Sequence, residues 1–107
     1  MAETFQSVQQ ATTASFVTIY TAPALTSSIV IGFSAANTNA SAAKDFSLQK
    51  VASGGATTTV LANEISIPTN DALNPIQGKL VLEAGDYIQI KGTDTDIDCT
   101  ISILEIS

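Results

Sequence analysis

Apolar and polar positions alternate with a period of two along most of this chain, and a period of two is the signature of strands with one buried face. Ser15 to Thr21 is rich in β-branched and aromatic residues, and Pro23 ends it by removing a ladder donor. Ser28 to Ala36 places Ile29, Ile31, Phe33 and Ala35 on one face and Val30, Gly32 and Ser34 on the other. Asp45 to Ala52 turns Phe46 and Leu48 inward, and Ser53-Gly54-Gly55 is a turn. Thr57 to Leu61 and Glu64 to Ile67 read as one strand with a break, with Ile65 and Ile67 on one face. Pro68 to Pro75 is a polar connection from one sheet to the other.

Gly78 to Ile90 reads as a hairpin. Its loop is read as three residues, a type I turn over Glu83 and Ala84 with Gly85 in the left-handed position, which sets Leu80 opposite Ile88 on the core face. Asp86 acts as the acceptor that caps the turn, and Tyr87 points away from the core. The last strand, Asp96 to Ile106, carries Ile97, Cys99, Ile101 and Ile103 on one face. Leu104 and Ile106 then break the parity, which predicts a bulge or a strand end covered on both sides. The one helical candidate, Ala35 to Lys44, is short and rich in Asn and Ser. The expected fold is all-β: a single-domain antiparallel β-sandwich, jelly-roll-like, of about seven to eight strands. Residues 1–14 form an N-terminal arm or edge segment and 15–107 the sandwich.

Composition narrows the chemistry. The chain has 107 residues, enough for one modest core, with 45% apolar and 13% charged residues. Hydroxyls replace charge: 14 Thr and 11 Ser stand beside 15 Ala. There is no His, Trp or Arg, and the basic residues are Lys44, Lys50, Lys79 and Lys91 against ten acids, for a net charge of -6. Four scattered lysines argue against nucleic acid and against anionic membrane as partners. A chain without histidine lacks the commonest general base and metal ligand, so no catalytic residue, metal or cofactor is assigned. Cys99, the single cysteine, forms no intrachain disulfide and reads as a small core hydrophobe. The start, Met-Ala-Glu-Thr-Phe-Gln, is not a secretory signal, and no apolar run reaches the ~20 residues of a membrane span. Synthesis in a reducing host cytoplasm is expected.

Several motifs have two readings. Asp94-Thr95-Asp96-Ile97-Asp98, with Glu105 at the twelfth position, resembles a calcium loop, but Cys99 stands where that loop needs Gly. A solvated carboxylate ladder is the preferred reading. Glu64, Glu83 and Asp86 are candidate paired carboxylates for a glycosidase, with no Trp for sugar stacking, and are read as surface charges. Asn39-Ala40-Ser41 fits a glycosylation sequon and is read as a loop. Phe5, Val8, Phe16, Tyr20 and Tyr87 are the candidate subunit interface: Phe16 and Tyr20 alternate against Val17 and Ile19, and 107 residues do not easily cover both faces of several strands.

Ile65-Ser66-Ile67-Pro68, Leu73, the run Gly78 to Ile90 and Ile103-Leu104-Glu105-Ile106 together resemble small virion proteins of tailed bacteriophages, cyanophages among them. Ile19-Tyr20-Thr21-Ala22-Pro23-Ala24 followed by Ile29 to Phe33 matches how those proteins begin. The resemblance covers roughly Phe16 to Ile106. It implies a structural, non-enzymatic protein of the phage particle, a homotrimer. The first role is a capsid decoration, or cement, protein that binds the major capsid protein at the virion surface and stabilises the head. The alternative is a tail, fibre or adaptor component touching other virion proteins or host surface glycans. No catalytic or binding residue carries over.

Overall fold

The computed structural model describes residues 3–76 and 78–107; Met1 and Ala2 of the predicted N-terminal segment, and Gln77, lie outside them. The strands are β1 (Glu3–Ala11), β2 (Val17–Thr21), β3 (Ser27–Asn37), β4 (Lys44–Val51), β5 (Thr58–Ile67), β6 (Ala72–Leu73), β7 (Leu80–Leu82), β8 (Tyr87–Gly92) and β9 (Ile97–Ile106). The described residues contain no α-helix; the predicted helical stretch is the end of β3, a loop, and the first residue of β4.

Two antiparallel sheets make a sandwich. One has the order β1-β9-β3-β6, with β7 also on β3, and the other β2-β8-β4-β5. Taking β6 and β7 as one interrupted strand leaves eight strands in jelly-roll order. The chain changes sheet after almost every strand, and β4 and β5 alone are consecutive strands that pair with each other. The extents of 47 × 27 × 20 Å fit two layers ~10 Å apart with their side chains.

The core lies between the sheets. Ile97, Cys99, Ile101 and Ile103 of β9 are at most 1% exposed, and so are Phe46 and Leu48 of β4 and Ile88 and Ile90 of β8. Phe33 of β3 meets Phe46 across the gap, ring centroids 6.0 Å apart and tilted 40°. Each such aliphatic or aromatic side chain contributes roughly 1.5–3 kcal/mol when buried.

Two parity readings are corrected, and one expected break is found. In β3 the register shifts between Val30 and Gly32, so Ile31 is an extra residue. Val30 therefore points inward with Phe33 and Ala35, and Ile29 and Ile31 outward, the reverse of the expected assignment for all three. In β2 the register shifts between Thr18 and Tyr20, and Ile19 and Tyr20 are both buried. In β5 the shifts fall opposite Phe46, Leu48 and Gln49, at the expected break, and Glu64 there has φ 49. β9 itself has neither the expected bulge nor an end covered on both sides: β1 follows it without a shift, Glu105 turns inward to Tyr20, and Leu104 and Ile106 stand half-buried on the outer face.

The predicted hairpin is not one. β7 pairs with β3 in the first sheet and β8 with β2 and β4 in the second, so Gly78 to Ile90 is an arch that crosses the sandwich. Leu80 and Ile88 both face inward but from opposite layers, not as cross-strand neighbours. Gly85 takes the expected left-handed position, but the type I turn over Glu83 and Ala84 is replaced by one centred on Ala84 and Gly85. Asp86 N–H donates to Glu83 C=O at 3.0 Å, and Gly85 takes φ +87, the sign a type II turn requires there. Ala22 clamps it from β2's exit: Gly85 N–H donates to Ala22 C=O and Ala22 N–H to Asp86 C=O.

A Cβ on Gly85 would run into Ser53, whose own Cβ would lie 2.8 Å away. Gly54, also at positive φ, has open space around it. Denaturant unfolding is expected to show Gly85→Ala destabilised by about 1–3 kcal/mol, and Gly54→Ala by clearly less. Equal losses would mean that the arch is not a tight constraint.

Candidate assembly surfaces

The five candidate interface residues do not converge. Phe5 projects from the outer face of β1 and is 72% exposed. Val8 lies on the opposite face of the same strand, opposite Ile101, and packs on the core. Phe16, 39% exposed, sits at the far end, with Lys91 Nζ 5.6 Å from its ring centroid, a cation–π contact worth about 0.5–1 kcal/mol at an exposed site. Tyr87 is half-buried at the start of β8.

Tyr20 is a correction: the β2 bulge turns it into the core, where it is 8% exposed. Its hydroxyl donates to Glu105 Oε2 at 2.5 Å and lies 2.7 Å from Ser28 Oγ. The ring belongs to one sheet and both partners to the other, so this group ties the layers together. Burial, and then the hydrogen bond to the Glu105 carboxylate, push the Tyr20 phenol up to about 12.

Other exposed apolar side chains had no clear sequence signal. Leu25, 94% exposed, has φ 58 in the turn between β2 and β3. Val81 and Val60 are 54% and 58% exposed. Ile31 is exposed because of the bulge.

The candidate chemical groups are dispersed, and Asp86 and the thiol are occupied or buried. Asp86 Oδ1 accepts from Ser53 N–H and Oδ2 from Glu83 N–H, both at 3.0 Å, with Lys50 Nζ 3.8 Å away. It is the turn cap expected. Glu64 lines a hollow with Asp45 and Lys91 at the other end of β4, which separates it from Glu83 and Asp86. A glycosidase pair must lie within ~9.5 Å.

Lys44 Nζ takes the first carboxylates of the calcium-like segment, 2.7 Å from Asp94 and 3.7 Å from Asp96. That hydrogen bond holds the Asp94 carboxyl below, and the Lys44 ammonium above, their ordinary values. Glu105, near the other end of β9, is roughly 30 Å further along at ~3.3 Å per residue, so it cannot join them. Among the described residues no cluster of three or more His, Cys, Asp or Glu could hold a metal. Asn39 is a loop organiser: its side chain accepts from Ser41 and Ala42 N–H and donates to Asp96. Burial pushes the Cys99 thiol up to about 12, which leaves it unreactive.

Tyr20 and Cys99 both keep protons in the folded protein that they lose earlier when unfolded. Their contribution to stability is therefore full below pH ~9 and is lost between about 9 and 12. Thermal melts should show this slope, and Tyr20→Phe should flatten its part above pH ~10 while costing about 1–2 kcal/mol at neutral pH through the unpaired Ser28 and Glu105. An unchanged alkaline slope in that variant would refute the assignment.

No protein-family model and no curated protein sequence matches the chain. Among solved structures, it is similar to a chain of the Bacillus endospore appendages, a family of disulfide-linked pili: 17% identity over 97% of this chain and 84% of that one, TM-score 0.55. It is also similar to the infectious bursal disease virus VP2 of the subviral particle, at 12% identity over 96% of this chain, TM-score 0.54. There it spans 32% of the viral chain's length. A pentameric capsid protein isolated from metagenomic phage sequences shares 18% identity over 91% of this chain and 59% of its own, at a TM-score of 0.45, too loose to build on. At these identities the likenesses establish the all-β, two-sheet sandwich fold.

Proposed function

We propose that this chain is a non-enzymatic structural protein of a bacteriophage particle, a decoration protein that binds the major capsid lattice as a homotrimer and stabilises the head. The observation that carries this reading is the division of the surface. Asp86 is capped, Asp94 is paired and the thiol is buried, Glu64 lies at the far end of β4 from Glu83 and Asp86, and apolar side chains stand in water. Leu25 is the clearest case. A bulky residue at positive φ is strained, and full exposure of its side chain offsets none of that cost. Such a residue is explained by a contact made outside the subunit. The family resemblance supports a phage particle as the setting, and the fold shared with a viral capsid protein is compatible with it. Repetition on a lattice gives avidity from contacts that are individually weak.

The endospore appendage fold raises a filament subunit as a second reading, but not one linked through disulfides. Cys99 is 1% exposed and is the sole cysteine.

Cryo-electron microscopy of the intact particle is expected to place this chain on the shell at lattice copy number. Density confined to the tail would replace the decoration role with the tail or fibre role. Leu25→Ser is expected to lower occupancy on decorated heads while leaving the melting temperature of the free protein unchanged or raised. Full occupancy in that variant would remove Leu25 from the contact.

A further inference from the structure

On the outer face of the five-stranded sheet, cross-strand partners stand in rows. Phe5 opposes Leu104, Leu104 opposes Ile29, and Ile29 opposes Val81. This is an apolar ridge across β1, β9, β3 and β7. The adjoining row is small: Ser7 opposes Ser102, and Ser102 opposes Gly32. A ridge of large side chains thus runs beside a trough, with the bulge residue Ile31 at the trough's β3 side. Among the described residues the charges of this face lie at its rim: Glu3 and Asp98 at its two ends, and Lys79 just before β7.

We propose that this face packs on the same face of a second copy of the chain, about a two-fold axis that runs across the strands between ridge and trough. Rotation about that axis carries each ridge over the other copy's trough, with Leu104 above Ser102 of the partner subunit and Phe5 above the partner's Ser7. The contact is self-complementary, as an isologous interface must be. The lack of charge on this face permits a second copy and argues against a basic partner, while the match of ridge to trough is what selects the same face of another copy. The chain carries -6, so two copies repel through most of their surface and can meet closely only where charge is absent. A basic partner would instead be drawn to the acidic loops. Three strands of 9, 10 and 11 residues and the short β6 and β7 of 2 and 3, at ~4.8 Å between strands and ~3.3 Å per residue, present about 550 Å² before side-chain relief is counted, which that relief brings toward the ~800 Å² per partner of a stable complex. The inference is independent of the virion reading, because the free protein tests it.

Sedimentation of the full chain is expected to show an even-numbered species: a dimer, or a hexamer if trimers also form. Ser102→Glu should halve its mass, and Phe5→Ala should weaken the association on the order of tenfold. Val60→Glu, on the outer face of the other sheet, should leave the mass unchanged. Circular dichroism checks the fold of each variant, and if Ser102→Glu unfolds, Ser7→Glu on the exposed edge strand replaces it. A monomer, a trimer alone, or a mass indifferent to the folded charge variant overturns the proposal, whichever location the particle reveals.

Discussion

The structure depends on one row of side chains, Ile97, Cys99, Ile101 and Ile103 on the inner face of β9. β9 is the strand with long partners on both sides, nine residue pairs with β1 and ten with β3. β1 has no other partner within its sheet, so its position is inherited from β9. The row faces Phe46, Leu48, Ile88 and Ile90 of the other layer, all fully buried. A thiol in this row fits because burial keeps it protonated, so it packs as a small apolar group. Because both sheets are one-sided, a slip of β9 by a single residue would place Asp98, Thr100 and Ser102 in the core.

Period-two patterning made this row legible, because β9 is regular through Ile103. The same reading went wrong on β2 and β3, where one extra residue reverses parity and leaves no mark in composition. It also mistook an arch for a hairpin. Alternation tells which side of a strand is buried but not which sheet the strand joins, and Gly85 and Asp86 shape a tight reversal equally well in either case. What separates the two is long-range: Ser28, Ile29 and Val30 pair with Leu80 to Leu82 from fifty residues away. The inward aromatic Tyr20 was missed for the first reason, its parity being set by the bulge and not by its neighbours in sequence.

Polar groups were easier to place by chemistry than by position. Asp86 was recognisable as a turn cap because a short carboxylate beside a left-handed Gly has amides within reach. Lys44 was not recognisable as the partner of Asp94 and Asp96, since fifty residues separate them in sequence and the loop after Asn37 brings them together. Asn37 itself organises that crossing: 2% exposed, it donates to Ile67 C=O at 3.0 Å and Ala42 C=O at 3.1 Å and accepts from Asn39 N–H. Among the described residues no buried side-chain polar atom lacks a partner. In a fold that crosses its own core so often, each crossing must satisfy backbone groups that no ladder reaches, and short side chains such as Asn37 and Asp86 meet that need.

The bulge in β3 joins the demands of the core to those of the surface. A regular strand would have offered either Val30 or Phe33 to the interior, not both. The extra residue admits both and obliges Ile31 to point outward. The fold needs a residue there but not an apolar one; Thr or Ser would hold the same backbone and cost nothing in the core. Leu104, Ile29 and Val81 stand in the same position, on a face that a two-layer sandwich can leave to water. The hydroxyl-rich neighbours Ser7, Ser102 and Ser34 show how this surface is otherwise kept wet. An apolar row beside them is not required by the folding of one subunit, and contact between subunits is the role proposed for it.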